Sequence, residues 1–129
     1  HAVRISRELQ RRSVAVGLLV TIAAGGMGRW LPAQWGFNPR RVPGNVRRCL
    51  NYFALGDRLG SDRKTARNLA HAAGTDTLVE NIAFDLRHPV THTDIVRCYP
   101  PARVHPAVSD QLLDRLMLEL AALAQLPAR

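Results

Sequence analysis

The chain has 129 residues, enough for one domain with a single core, and its 47% hydrophobic content excludes an intrinsically disordered chain. Eighteen basic residues stand against ten acidic ones, and the net charge of +8 favours a polyanionic or acidic partner over a neutral one. Seventeen of the eighteen are Arg and Lys64 is the lone Lys; a GC-rich genome produces the same bias, so the charge excess is informative and the Arg-to-Lys ratio is not. In chain order, RISRELQRR opens the sequence and a run without charge follows from Ser13 to Gly28. Leu9, Val16, Leu19 and Val20 stay near helical phase, and the run is read as a buried core helix, short for a membrane span. A signal-like segment, a membrane anchor with Trp30 at the interface, and a β-strand from Val14 to Ile22 stay open beside it. Residues 25 to 45 combine Gly and Pro with Trp30, Leu31, Trp35 and Phe37, which makes an ordered, packed loop. Arg29, Arg40, Arg41, Arg47 and Arg48 cluster around these aromatics, a pattern suited to single-stranded nucleic acid and equally to Arg stacked on Trp as packing.

Residues 46 to 73 read as two helices joined at Gly60. Phe53, Ala54, Leu55, Gly56 and Leu59 give the first helix an apolar side, with Asp57 and Arg58 wet. Gly60 is expected to supply a positive φ, Ser61 or Asp62 an N-cap, and Gly74 a stop. The stretch YFALGDRLGSDRKTARNLAH, from Tyr52 to His71, resembles the helix-turn-helix of bacterial DNA-binding proteins. Gly56, Leu55, Leu59, Gly60, Ala66 and Leu69 carry the resemblance over about twenty residues. Ser61 stands where the motif usually has Val or Ile, and Ala66 where it prefers a β-branched apolar residue. The resemblance implies a recognition helix from Asp62 to Ala72. Arg63 and Arg67 would then pair with guanine, Asn68 with adenine, and Lys64 or Thr65 with phosphate. Arg40, Arg41, Arg47 and Arg48 are expected to add nucleic-acid contacts.

After Gly74, Leu78, Ile82 and Leu86 recur every four residues with Val79 beside them, and a helix is expected that stops at Pro89. His88, His92, Cys98 and His105 match no common zinc spacing, so no metal and no cofactor is expected. Asp85, His88 and His92 are the one acid–base set on offer, and nothing else in the chain points to an enzyme; a packed connector is the preferred reading of this segment. Over residues 108 to 125, Leu112, Leu113, Leu116, Met117, Leu120 and Leu123 make a broad apolar helix face that closes a core or forms a dimer seam. Cys49 and Cys98 read as reduced buried thiols of a cytoplasmic protein. The expectation is an all-α chain, one compact domain of about five helices. Its function would be DNA binding of helix-turn-helix type, as a possible homodimer through the C-terminal helix. The alternative is a non-enzymatic interaction module, or a small subunit docking an acidic partner.

Overall fold

A computed structural model describes residues 2–24, 37–55, 57, 59–62, 64–84, 89–96 and 104–125. The elements are α1 (Ala2–Arg11), β1 (Val16–Ile22), β2 (Arg41–Val42), β3 (Val46–Ala54), β4 (His71–Ala72), β5 (Leu78–Phe84), α2 (His92–Val96), α3 (Pro106–Val108) and α4 (Asp114–Ala124). A π-helical turn over Ser109–Leu113 joins α3 to α4. Strands β1, β3 and β5 form a parallel sheet in that order, and β2 pairs with β4 in a small second sheet, also parallel. The fold is therefore a mixture of α and β, which corrects the all-α expectation.

The physical reason lies in the burial of β3. Strands covered on both faces read as continuous apolar runs and lose the alternation that marks a half-exposed strand. From Cys49 to Ala54 every residue of β3 is buried. Val46, Cys49, Leu50 and Phe53 also satisfy a three-and-four spacing, which is why the segment imitates a helix. The same coincidence in Leu78, Val79 and Ile82 imitates a helix where β5 runs. For residues 14 to 22, the strand alternative is the one realised, as β1.

Each face of the sheet has its own cover. Leu50, Tyr52, Ala54 and Phe84 join Ile95 of α2, Val108 of α3 and Leu112 of the π-turn in one cluster, with Leu18, Val20 and Ile22 packed against it. On the other face, Leu19, Val46 and Cys49 cluster with Val3 of α1, Val42 and Ala70. The Cys49 thiol is free and fully buried, and burial pushes its pKa up to about 11. Cys98 lies outside the described residues. No helix among the described residues is long and apolar enough to cross a membrane. The C-terminal segment is helical through α3, the π-turn and α4, and Met117, Leu118 and Leu120 are exposed on α4.

The link from β3 to β5 is the unusual connection. A parallel crossover normally carries an α-helix. Here the described part holds a single 3-10 turn, Thr65–Arg67, and the two-residue strand β4. The expected two-helix unit over 46 to 73 is thus a strand followed by a long loop, and no helix runs from Asp62 to Ala72. A loop of this length with little structure of its own is more often a functional loop than a plain connector.

Candidate active site

The loop is held to the sheet by a row of amides. Thr21, Asn51 and Asn81 occupy matching positions on β1, β3 and β5. The Thr21 hydroxyl donates to Asn51 Oδ1 at 2.8 Å, and Asn51 Nδ2 donates to Asn81 Oδ1 and to the Asn68 carbonyl, each at 2.8 Å. Asn81 Oδ1 also accepts from the Ala70 amide at 2.7 Å, while its Nδ2 donates to the Ala70 carbonyl at 3.1 Å. Asn68 closes the loop on itself: its Oδ1 accepts from the Asp62 amide at 2.6 Å, and its Nδ2 donates to the Asp62 carbonyl at 2.8 Å. Buried side-chain networks that satisfy every member fix a unique conformation. This one fixes the path of the chain just beyond Asp57.

Asp57 follows the carboxyl end of β3, the end at which open parallel sheets bind their ligands. Its side chain is 1% exposed. Oδ1 accepts from the amides of Leu59 and Gly60, both at 2.9 Å, and the Asp57 carbonyl accepts from the Ser61 amide at 2.9 Å. That turn presents the second oxygen, Oδ2, to His92 Nδ1 at 2.8 Å. A buried carboxylate accepts, so Nδ1 donates and the lone pair of the neutral imidazole is left on Nε2. The His92 side chain is 33% exposed, so the ring has its Asp57 edge inside and remains accessible to a reactant.

His92 is aimed by its own helix start. It is the first residue of α2, and Thr91 and Asp94 form a reciprocal cap around it. The Thr91 amide and hydroxyl donate to Asp94 Oδ2 at 2.7 and 2.6 Å, and the Asp94 amide reaches Thr91 Oγ1 at 3.4 Å. The hydroxyl bond from Thr91, then its amide bond, holds the Asp94 carboxyl below the usual range.

Gly60 packs where the two elements meet. A Cβ there would overlap the Ala23 methyl and Asp57 Oδ2 and press on His92 Nδ1. The expected positive φ is not what Gly60 supplies; space is. Ala23, which follows β1, is one of two described non-glycine residues with positive φ, at 49°. Strain of this kind costs roughly 1–3 kcal/mol and gathers at functional sites.

Of the acid–base set expected from sequence, His92 is in the site, and Asp85 and His88 lie outside the described residues. His105 caps α3, accepting from the Ala107 amide. No three described His, Cys, Asp or Glu side chains are placed to hold a metal ion. The expected nucleic-acid contacts scatter. Arg63 lies outside the described residues. Lys64, Thr65 and Arg67 are exposed on the loop, with Arg67 Nη1 3.7 Å from the Asp62 carboxylate. Asn68 is buried and committed to the loop rather than open to a base. Arg41 and Arg47 are exposed, Arg40 is half-buried near β2, and Arg48 is bound to Glu80 and Glu119. The expectation of Asp57 as a wet helix position and Gly60 as a helix stop gives way to a buried carboxylate and a close-packed turn. The signal that finds them is Gly-Asp-x-x-Gly directly after a buried strand, with a His after the next strand. Comparison of the chain with family models, with curated proteins and with solved structures gives no match.

Proposed function

We propose that the chain carries the acid–base half of a hydrolytic site, with Asp57 as the orienting carboxylate and His92 as the general base. The observation that carries this reading is the Asp57–His92 bond at 2.8 Å, between a side chain shut away from water and an imidazole that is not. In nucleophile–His–Asp triads the carboxylate holds the ring in one tautomer and stabilises the imidazolium formed when His takes the nucleophile's proton. Asp57 is built for both tasks, since two further amide donors keep its charge in place.

The order of the elements supports the same reading. In α/β-hydrolases the partners follow along the chain as nucleophile, acid and base, and they sit at the carboxyl ends of parallel strands. Here the acid follows β3 and the base follows β5. This is an analogy at the level of fold, and the site chemistry is what it adds to. Among the described residues no hydroxyl or thiol is hydrogen-bonded to His92 Nε2. The nucleophile in this reading is a serine presented to His92 Nε2 from outside the described residues; β1, an edge strand among those described, touches the dyad through Ala23 and Gly60. The reaction is acyl transfer to that serine and then to water, with His92 taking and returning the proton at Nε2.

The test is a fluorophosphonate probe, which labels a serine activated by an adjacent His, applied to the protein. The expected result is one labelled serine, hydrolysis of a short-chain p-nitrophenyl ester, and loss of both in His92→Ala. Equal labelling and turnover in His92→Ala would sink the proposal.

A further inference from the structure

A second site sits at the other end of the sheet, where the amino ends of the strands lie. We infer that the cleft between α1 and β2 binds a phosphate dianion, as part of a small phosphate-bearing ligand. Arg7, Gln10 and Arg11 of α1, Arg41 and Pro43 around β2, and Ala73 after β4 enclose a cleft of about 390 Å³. That is within the range of small-molecule sites, roughly 300–1,000 Å³.

Three arginines line the cleft, and a guanidinium carries paired N–H donors that match phosphate oxygens. Among the described residues, the carboxylate bonded to this set is Glu8, which Arg11 and Arg12 share, each at 3.1 Å. Counting Arg12 with the Glu8 it shares, four positive charges against one negative leave the cleft and its rim at about +3, ample for a phosphate carrying close to two negative charges at pH 7. Arg7 is held in place from the side: its guanidinium stacks on Phe37 at 4.8 Å, and Nη2 donates to the Asn38 carbonyl at 3.4 Å. Arg4 stacks on the same ring at 4.7 Å. The stacking uses no hydrogen-bond donor at the ring, so Arg7 arrives rigid and still able to donate. β2 carries Arg41, and its pairing with β4 places that residue beside His71 and brings Ala73 against Val42. The Gln10 amide adds a neutral donor.

A small ligand is favoured over a polymer because three arginines line a single cleft. Arg12 is drawn to Glu8, Arg48 to Glu80 and Glu119, and Arg67 to Asp62. Among the described residues, Arg7, Arg11 and Arg41 share one cleft and the exposed Arg47 and Lys64 stand apart from its lining, whereas a duplex or a membrane surface engages an extended row of cations.

The test uses inorganic pyrophosphate, titrated calorimetrically into the wild type and into Arg41→Gln and Arg11→Gln at low and moderate salt. One saturable site is expected, weakened tenfold or more by either substitution, with melting temperature unchanged because both residues are exposed. Parallel arms use duplex DNA and vesicles containing phosphatidic acid. Binding to pyrophosphate that is indifferent to both substitutions overturns the inference. So does no saturable binding to pyrophosphate, and so does binding to duplex or vesicles alone. The result does not depend on His92, and ester turnover in Arg41→Gln should match the wild type.

Discussion

Two charged clusters in this molecule look alike in composition and behave as opposites. One is Asp57 with His92. The other is Arg48 of β3, Glu80 of β5, and Arg115 and Glu119 of α4. In the second, Arg48 Nη2 lies 3.2 Å from Glu80 and 3.1 Å from Glu119, and Arg115 lies 3.1 Å from Glu80 and 2.9 Å from Glu119. Two cations meet two anions, so the cluster is electrically complete. It fastens α4 across two strands and spends its charges on itself, with Arg48 Nε buried and without a hydrogen-bond partner. The dyad is complete on one side only. Asp57 is satisfied by two amides and an imidazole, while the far nitrogen of that imidazole has no described partner. A closed set of charges holds a fold together; an open one at the ligand-binding end of a parallel sheet has capacity for chemistry.

That contrast is broken most directly at His92. His92→Ala should cut ester turnover on the order of a millionfold, the scale seen when a triad His is removed. Asp57→Asn should cost about ten-thousandfold in kcat, because an amide in that place favours the wrong tautomer of the ring. The amide oxygen of the substituted side chain would still accept from Leu59 and Gly60, so the circular dichroism spectrum should not change. Stopped assays against a short-chain ester measure both. A loss of turnover smaller than tenfold in either variant would put the dyad in the same structural class as the quartet.

Gly60→Ala probes the geometry rather than the charges. The added methyl has no space between Ala23, Asp57 and His92, so the pair must separate. Displacement by about 1 Å costs on the order of a hundredfold in rate. The expected signature is a fall in kcat much larger than any change in KM, with a lowered melting temperature. Unchanged turnover would show that the Asp57–His92 distance is not what matters.

The two clusters are unequally legible in the sequence. The C-terminal helix is readable because Leu112, Leu116, Leu120 and Leu123 repeat with a helical period over a segment long enough for the pattern to be unambiguous. β3 is not, because a strand buried on both faces drops its alternation, and β5 is not, because Leu78, Val79 and Ile82 happen to fall at three-and-four spacing; strands of nine and seven residues fit either period. Once β3 is taken for a helix, Asp57 becomes a solvated position on its far side and Gly60 a helix stop. His92 is visible as an acid–base residue, but its partner is 35 positions away in sequence, across a crossover that local pattern does not describe. Asn68 is misread for the same reason. An Asn beside Arg residues resembles a base reader, and its commitment to Asp62 and Asn51 exists only once the loop is folded against the sheet.

The amide row separates the clusters on stability rather than rate. Asn51→Ala removes the side chain that joins Thr21, Asn68 and Asn81, and all its contacts are buried or partly buried. Each buried polar group left unpaired costs about 1–3 kcal/mol, so urea unfolding should show a loss of at least about 2 kcal/mol. The loop beyond Asp57 should also gain amide exchange from Asp62 to Ala70, and turnover should fall as the dyad loses its frame. Global destabilisation with no local increase in exchange would mean that the row supports the sheet alone.

The smallest effect is expected at the quartet, and its smallness is what the comparison requires. Glu80→Gln keeps the shape and removes one of the two negative charges. The Glu80 side chain is 40% exposed, and Arg48 and Arg115 each retain Glu119 at 3.1 and 2.9 Å. Solvent screening at that exposure holds the cost below about 1 kcal/mol. The loss should shrink further between about 0.05 and 0.5 M salt, where the screening length contracts from above to well below about 10 Å. Ester turnover should stay within twofold of wild type, since no part of the quartet reaches Asp57, Gly60 or His92. A large fall in turnover in Glu80→Gln would show that α4 sets the position of the dyad through the sheet, and the two clusters would then be one device instead of two.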